Sequence, residues 1–415
     1  MAKLHPFQAI RPDLSKVEKV ASKPYDVLDA DEAREEVKDN PYSFLHVVKP
    51  EVDLDSGIDP HDPRVYQKAR ENLELFLEKK YLVQDPESTF YLYRQEWKGH
   101  VQTGIVACFS VEEYQTGLIK KHEFTRKQKE DDRVQNILHT NCNTGPVFLT
   151  FRQVPSVAQI LLSLAEQSPL YDFLDEASVH HTVFRVSDPE VCRQLQQQME
   201  KVECLYIADG HHRAASASRV REIKKEQNPS HSGTEEYNWF LGVLFPHDQL
   251  QILDYNRVVR DLGTLSEDRF LALLSNQFEV KKAARSPFRP IEKHSFGMFL
   301  GGTWYDLTAK SGSFSAEDPV EQLDVSILQK NVLSPLLGIE DPRSDERIHF
   351  VGGIRGLGEL EKLVLSGKWA VAFSLFPTSM EDLLQVADAG KVMPPKSTWF
   401  EPKLKSGLFL HRLDS

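Results

Sequence analysis

The stretch Leu205-Tyr206-Ile207-Ala208-Asp209-Gly210-His211-His212-Arg213-Ala214-Ala215 passes within a few residues from an apolar run to a dense set of polar, chargeable side chains. Leu205 to Ala208 has the length and composition of a buried strand, and Arg213 to Gln227 (RAASASRVREIKKEQ) is helix-forming without a breaker. Asp209-Gly210 is then the hinge of a strand–turn–helix unit. Glycine permits the tight turn, and the first N–H groups of the helix, at its positive dipole end, face outward where an anion can rest. Arg213 adds a planar cation suited to two phosphate oxygens. Ala214, Ala215 and Ala217 keep the helix slim for close packing on a sheet.

Outward from this unit, 415 residues are too many for one comfortable core, so two domains are expected, 1–265 and 266–415. Hydrophobic residues at 40% and charged residues at 27% suit a globular enzyme, and the net charge of −12 argues against a nucleic-acid binder. No 18-residue apolar run suggests a membrane span, and the N-terminus reads as neither signal peptide nor anchor. Cys108, Cys142, Cys192 and Cys204 lack C-x-x-C spacing, which fits reduced thiols in a cytoplasmic protein.

Lys23-Pro24-Tyr25-Asp26-Val27-Leu28 forms an early turn before a helix-prone stretch, Asp31 to Asp39, which Asp26 or Asp29 would cap. Ser43 to Val48 reads as a strand. Tyr66, Ala69, Leu73, Phe76 and Leu77 mark an amphipathic helix, and Phe90 to Trp97 with Val101 to Ser110 a hairpin turning at Lys98-Gly99-His100. The charged segment Lys120 to Arg133 reads as a solvated face or a loop folding over a ligand. Strands are expected at Val147 to Phe151, Phe240 to Phe245 and Leu250 to Leu253. The remainder alternates strand and helix, with a hairpin at Met298 to Leu307 and one helix at Val325 to Leu337, as in a second α/β unit.

The Asp209–Arg213 cluster is either an anion site or an ordinary capped helix start. Two adjacent histidines before an arginine favour the site, because like charges crowd there unless an anion joins them. Zinc is disfavoured for want of an H-x-x-x-H pair, whereas Mg²⁺ with Asp209 as one ligand is compatible. Asp26 is a candidate general base whose plain alternative is a helix cap. Lys396-Ser397-Thr398 is either a phosphate-contacting loop or an exposed polar one.

The combination of Asp209-Gly210-His211-His212-Arg213, the early Lys23-Pro24 turn with its acid, and Pro395-Lys396-Ser397-Thr398 resembles the free serine kinases of the ParB/sulfiredoxin-like superfamily. More closely still, the chain is similar over its whole length to a bacterial family of uncharacterised proteins, through Pro24-Tyr25-Asp26-Val27, His122-Glu123-x-Thr125, Lys129 to Arg133, Tyr255-Asn256-Arg257 and Pro394 to Gly407. The resemblance implies an α/β (α+β) fold, with a ParB/sulfiredoxin-like N-terminal domain carrying insertions and a smaller C-terminal α/β domain closing the cleft. It implies that Asp209, Gly210, His211, His212 and Arg213 bind the phosphates of ATP or ADP with Mg²⁺. Lys396, Ser397 and Thr398 join them, and Asp26, where the kinases carry glutamate, is the base toward free L-serine or a similar hydroxyl metabolite. His211 and His212 are further catalytic candidates, and His122, Glu123, Lys129 and Arg133 accessory ones. The alternatives are a non-catalytic nucleotide-binding regulator and a metal-dependent hydrolase using His211 and His212.

Overall fold

The computed structural model describes residues 2–414 and divides into two compact units, Met1–Leu250 with Pro402–Ser415, and Gln251–Glu401. The break falls at Leu250, against the expected 265, and the last residues return to the first unit instead of ending the second.

The first unit is built on a nine-stranded mixed sheet. Its order is Ile119–Lys120, Leu205–Asp209, Val147–Phe151, Trp239–Pro246, His100–Ser110, Phe90–Trp97, His180–Val186 and Tyr171–Leu174, with Leu4–His5 also paired to His100–Ser110. Two pairings are parallel, Leu205–Asp209 with Ile119–Lys120 and Trp239–Pro246 with Val147–Phe151; the others are antiparallel. The hairpin between Phe90–Trp97 and His100–Ser110 turns on Lys98 (φ 52°) and Gly99 (φ 80°), both left-handed as a type I′ turn requires. Phe90, Leu92, Ile105, Leu149, Ile207 and Leu244 are buried in one apolar cluster, against which Ala214 and Ala217 pack. Small residues there let the helix His211–Gln227 lie close to that core.

Three local expectations fail. Ser43 to Val48 contains a helical turn, Leu45–Val48, not a strand; flanked by Pro41 and Pro50, the run meets no partner strand and instead buries Phe44, Leu45, Val47 and Val48 in an apolar cluster. Burial on all sides gives a short helix the same continuous apolar pattern as a buried strand. Lys120 to Arg133 is not a ligand-covering loop, since the helix Lys127–Thr140 begins inside it. Arg219 pairs with Asp131 at 2.7 Å, and the Ser216 hydroxyl donates to the Glu130 carbonyl at 3.2 Å, so this helix is tied to His211–Gln227. Val325 to Leu337 is not one regular helix: a helical turn, Asp324–Leu328, runs into a π-helical segment, Gln329–Leu333.

The second unit carries a six-stranded sheet in the order Phe278–Lys282, Thr303–Ala309, Ser295–Leu300, Val371–Leu375, Tyr255–Val259 and Ile348–Gly352. Every pairing in it is antiparallel. Helix Leu357–Leu365 buries Leu357 and Leu360 among Val258, Phe299 and Trp304. Gln251–Leu253 pairs with Trp399–Glu401, which brings the entry and exit of this unit together. All four cysteines are free, and among the described residues no helix is long and apolar enough to cross a membrane.

Candidate functional site

Strand Leu205–Asp209 loses its register against Val147–Phe151 between Ile207 and Asp209. Such a bulge re-aims the residues that follow it. Gly210 then sits in the left-handed region (φ 90°), and His211–Gln227 starts without a side-chain cap. The Gly210 carbonyl accepts from the Arg213 N–H at 2.9 Å and the Ala214 N–H at 3.2 Å, while the N–H groups of His211 and His212 precede any carbonyl the helix can offer them. Asp209 supports the turn instead of capping the helix. One of its oxygens accepts from the Gly210 N–H at 2.7 Å and the other from Lys403 Nζ at 2.7 Å. Partial burial works against its ionisation, yet Lys403, Arg213 and the Gly210 N–H outweigh it and hold the carboxyl well below its usual range.

The two histidines diverge. His211 is buried, and its Nε2 accepts from the His122 N–H at 3.5 Å, which puts the ring proton on Nδ1, 3.9 Å from Glu123. His122 stands edge-on to it, with ring centroids 4.5 Å apart, and is itself 2% exposed. Burial pushes the pKa of His122 down to about 4 against the pull of Asp209 and of a backbone hydrogen bond with Ile207. Burial and then His122 depress His211 as well. His212 points the other way, its Nε2 accepting from the Arg126 N–H at 3.0 Å, and burial followed by Lys129 lowers its pKa. At neutral pH all three rings are therefore uncharged, and the cation within the first turn of the helix is Arg213.

Arg213 donates from Nη1 to the Pro146 carbonyl at 2.7 Å, and Nη2 lies 3.9 Å from the Asp26 carboxylate. Gly145 packs so near the guanidinium that a Cβ there would lie 3.4 Å from Cζ. Helix Ala30–Val37 is capped by Asp29 in a full capping box with Glu32, so Asp26 is not its cap. The guanidinium groups of Arg133 and Arg213 both lie against the Tyr25 ring, at 4.0 and 5.5 Å from its centroid. Arg133 is also paired with Asp132 at 2.6 Å. A cavity of about 330 Å³ opens beside Asp26, lined by Tyr25, His61, Tyr66, Gln128, Lys129 and Arg133 among others. Tyr25, Val48, Arg133 and Asn136 also line a smaller one of about 30 Å³ that reaches Thr144, Gly145 and Arg213.

The first unit thus gathers most of the residues singled out from the sequence: Asp26, His122, Glu123, Lys129, Arg133 and the run Asp209 to Arg213. Lys396, Ser397 and Thr398 belong to the second unit. There the Lys396 carbonyl accepts from buried Arg257 at 3.1 Å, and its Nζ lies 5.7 Å over the Tyr255 ring. The Ser397 hydroxyl donates to the Pro394 carbonyl at 2.6 Å, within its own loop. Lys403 was missed; only its position after the Pro395-Lys396-Ser397-Thr398 loop hinted at it. Tyr25, named in the early motif but given no role there, stands directly before Asp26.

Among the described residues no group of three or more His, Cys, Asp or Glu side chains is placed to hold a metal ion. Asp209 has both oxygens engaged, and His211 and His212 face different partners, so these residues do not form a prepared metal site. Any Mg²⁺ would have to arrive with the oxygens of its ligand.

The chain belongs to the family described as protein of unknown function (DUF1015), whose model matches residues 4–326. No curated protein matches it. Among solved structures it is similar to a free serine kinase mutant in complex with AMP, at 12% identity and a TM-score of 0.38, covering 74% of this chain and 92% of that one. SbnI with a C-terminal truncation, from Staphylococcus aureus, gives 12% identity and a TM-score of 0.38 over 74% and 87% of the two chains. A conserved hypothetical protein from Pyrococcus furiosus gives 12% and 0.36 over 74% and 95%.

Proposed function

We propose that the first unit holds the phosphates of a nucleotide, ATP or ADP, at the start of helix His211–Gln227 and transfers a phosphoryl group to the hydroxyl of a small molecule. The observation that carries this reading is the facing pair of Asp26 and Arg213, 3.9 Å apart beside a cavity, with Asp29 doing the capping that would otherwise account for Asp26. Phosphoryl transfer asks mainly for positioning and charge neutralisation. Arg213 and the N–H groups of His211 and His212 would hold phosphate oxygens, and neutral His211 and His212 would shape the site without adding charge. Asp26 would take the proton of the acceptor hydroxyl as its oxygen bonds to phosphorus and the bond from phosphorus to the nucleotide's leaving oxygen breaks. Mg²⁺, carried by the nucleotide, would supply further neutralisation.

The ParB/sulfiredoxin-like assignment and a cytoplasmic location belong to the same proposal and rest on the motif and on the free thiols. Lys396, Ser397 and Thr398 remain candidates for nucleotide contacts. One observation favours a second reading, a nucleotide-binding regulator: Asp26 and Arg213 neutralise each other, and a ligand that parts them need not react. The test is to incubate the full chain with ATP or ADP, Mg²⁺ and free L-serine or another hydroxyl metabolite, following phosphoester formation by phosphorus NMR. Transfer that disappears in Asp26→Asn supports the kinase. Tight binding without consumption of any nucleotide, unaffected by Asp26→Asn, supports the regulator.

A further inference from the structure

We infer that the cavity beside Asp26 takes an uncharged polyhydroxy compound, of the size of a cyclitol or a hexose, as the acceptor in preference to an amino acid. This rests on the transfer reading above, with Asp26 at the reacting hydroxyl. Two features of the cavity lead to it.

The first is its charge. Lys49 pairs with Glu51 at 3.1 Å, both largely buried, and Arg133 pairs with Asp132 at 2.6 Å. Asp132 also accepts from the Tyr66 hydroxyl at 3.0 Å and lies 3.6 Å from His61. Lys129 is engaged as well. A zwitterion needs a cation for its carboxylate and an anion for its ammonium group, and apart from Asp26, which is given to the reacting hydroxyl, each would have to be pulled from a partner it already has. Breaking a largely buried pair leaves an uncompensated charge, so a zwitterion binds at a disadvantage. A neutral ligand asks for no such exchange.

The second feature is size and texture. A cavity of about 330 Å³ exceeds what a seven-atom amino acid fills and lies at the lower end of the range for small-molecule sites. Its wall combines apolar side chains, Leu28, Val48 and Val65, with groups able to exchange hydrogen bonds with hydroxyls, namely Asp26, His61 and Gln128. Gln128 contacts the His61 ring at 3.2 Å and has further amide positions to offer. Carbon-bound faces and a hydroxyl rim are the features of a polyol ring.

The experiment sets glycerol, a cyclitol and a hexose against serine, homoserine and threonine, each with the full chain, Mg²⁺ and ATP or ADP. The expected result is a phosphomonoester of a polyol, with kcat/KM at least about tenfold above any amino acid, and a KM raised about tenfold in Gln128→Ala with kcat little changed. Preferred phosphorylation of an amino acid overturns the polyol assignment and leaves the transfer reading standing. If nothing is phosphorylated, the transfer reading falls. The cavity is then judged by saturation-transfer NMR, where polyol signals no stronger than those of serine, or unchanged in Gln128→Ala, overturn the inference.

Discussion

The Asp26 carboxylate lies 3.9 Å from the Arg213 guanidinium, so a turn near the N-terminus meets a helix start from the middle of the chain. The separation exceeds a hydrogen bond, which leaves the outer N–H groups of Arg213 available while its Nη1 is anchored on the Pro146 carbonyl at 2.7 Å. One side of this arginine is thus fixed and the other presented. The left-handed Gly210 and the packing of Gly145 against Cζ fix where it is presented.

Substitutions at the two ends of this pair should separate binding from chemistry. Arg213→Ala should weaken nucleotide affinity about tenfold to a hundredfold, the scale of a lost charge-assisted contact. Asp26→Asn should leave that affinity within about threefold and lower phosphoryl transfer by about 10²–10⁴, the range of a lost general base. Calorimetry reads the first effect and phosphorus NMR the second; an Asp26→Asn protein that loses affinity in proportion to activity would refute this division of labour.

Lys403 should govern acid tolerance through Asp209. The folded-state pKa of Asp209 is depressed, so its contribution to stability is present above the ordinary value of 3.8 and lost as pH falls through the lower, folded value. Lys403→Met removes the main counter-charge and should move the acid-unfolding midpoint to higher pH. The shift should be modest, because the Asp209 side chain is 38% exposed and partly screened. Intrinsic fluorescence followed from pH 6 downward checks it, and coincident curves for the two proteins would contradict it.

What could be read from the sequence was local. Asp209-Gly210 announced the strand–turn–helix unit, Lys98-Gly99 the hairpin, and Asp26 or Asp29 the cap of the helix that follows, because each depends on residues within about one turn of each other. The features that escaped notice depend on distant partners. Leu45–Val48 is a helix because no strand is there to pair with it, and the second sheet is antiparallel through pairings such as Tyr255–Val259 with Ile348–Gly352. Lys403 reaches Asp209 because the segment after Glu401 returns to the first unit, where Leu408, Phe409 and Leu410 are buried. Asp26 was recognised by its motif, but only the observation that Asp29 caps the helix separates its two readings.

His122 should prove dispensable for folding and necessary for the site. A buried imidazole short of full hydrogen bonding costs about 1–3 kcal/mol, so His122→Leu should leave the melting temperature unchanged or raise it. The same change removes the ring packed edge-on to His211, and the first turn of His211–Gln227 loses that support. Nucleotide affinity should fall several-fold in a protein of undiminished stability. Lower stability with unchanged affinity would assign His122 a packing role alone.

Asp324 should make the second unit sensitive to pH near neutrality. Its carboxyl accepts from the His294 N–H at 2.8 Å through one oxygen, and the other is buried without a partner. Burial raises its pKa to about 7, and Asp382 adds to this, against the pull of that N–H and of Lys293. A raised folded-state pKa contributes stability that is fully present below 3.8 and lost as pH rises through about 7, when a charge must be carried in a buried place. The melting temperature of the second unit should therefore fall between pH 5 and pH 8, by about 2–4 °C for each kcal/mol lost in a domain of this size. Asp324→Asn keeps an oxygen for the His294 N–H and removes the titration, so its melting temperature should be flat over that interval and exceed that of the parent at pH 8. Calorimetric scans at pH 5, 6.5 and 8 decide the matter, and parallel pH profiles for parent and variant would place the titrating group elsewhere.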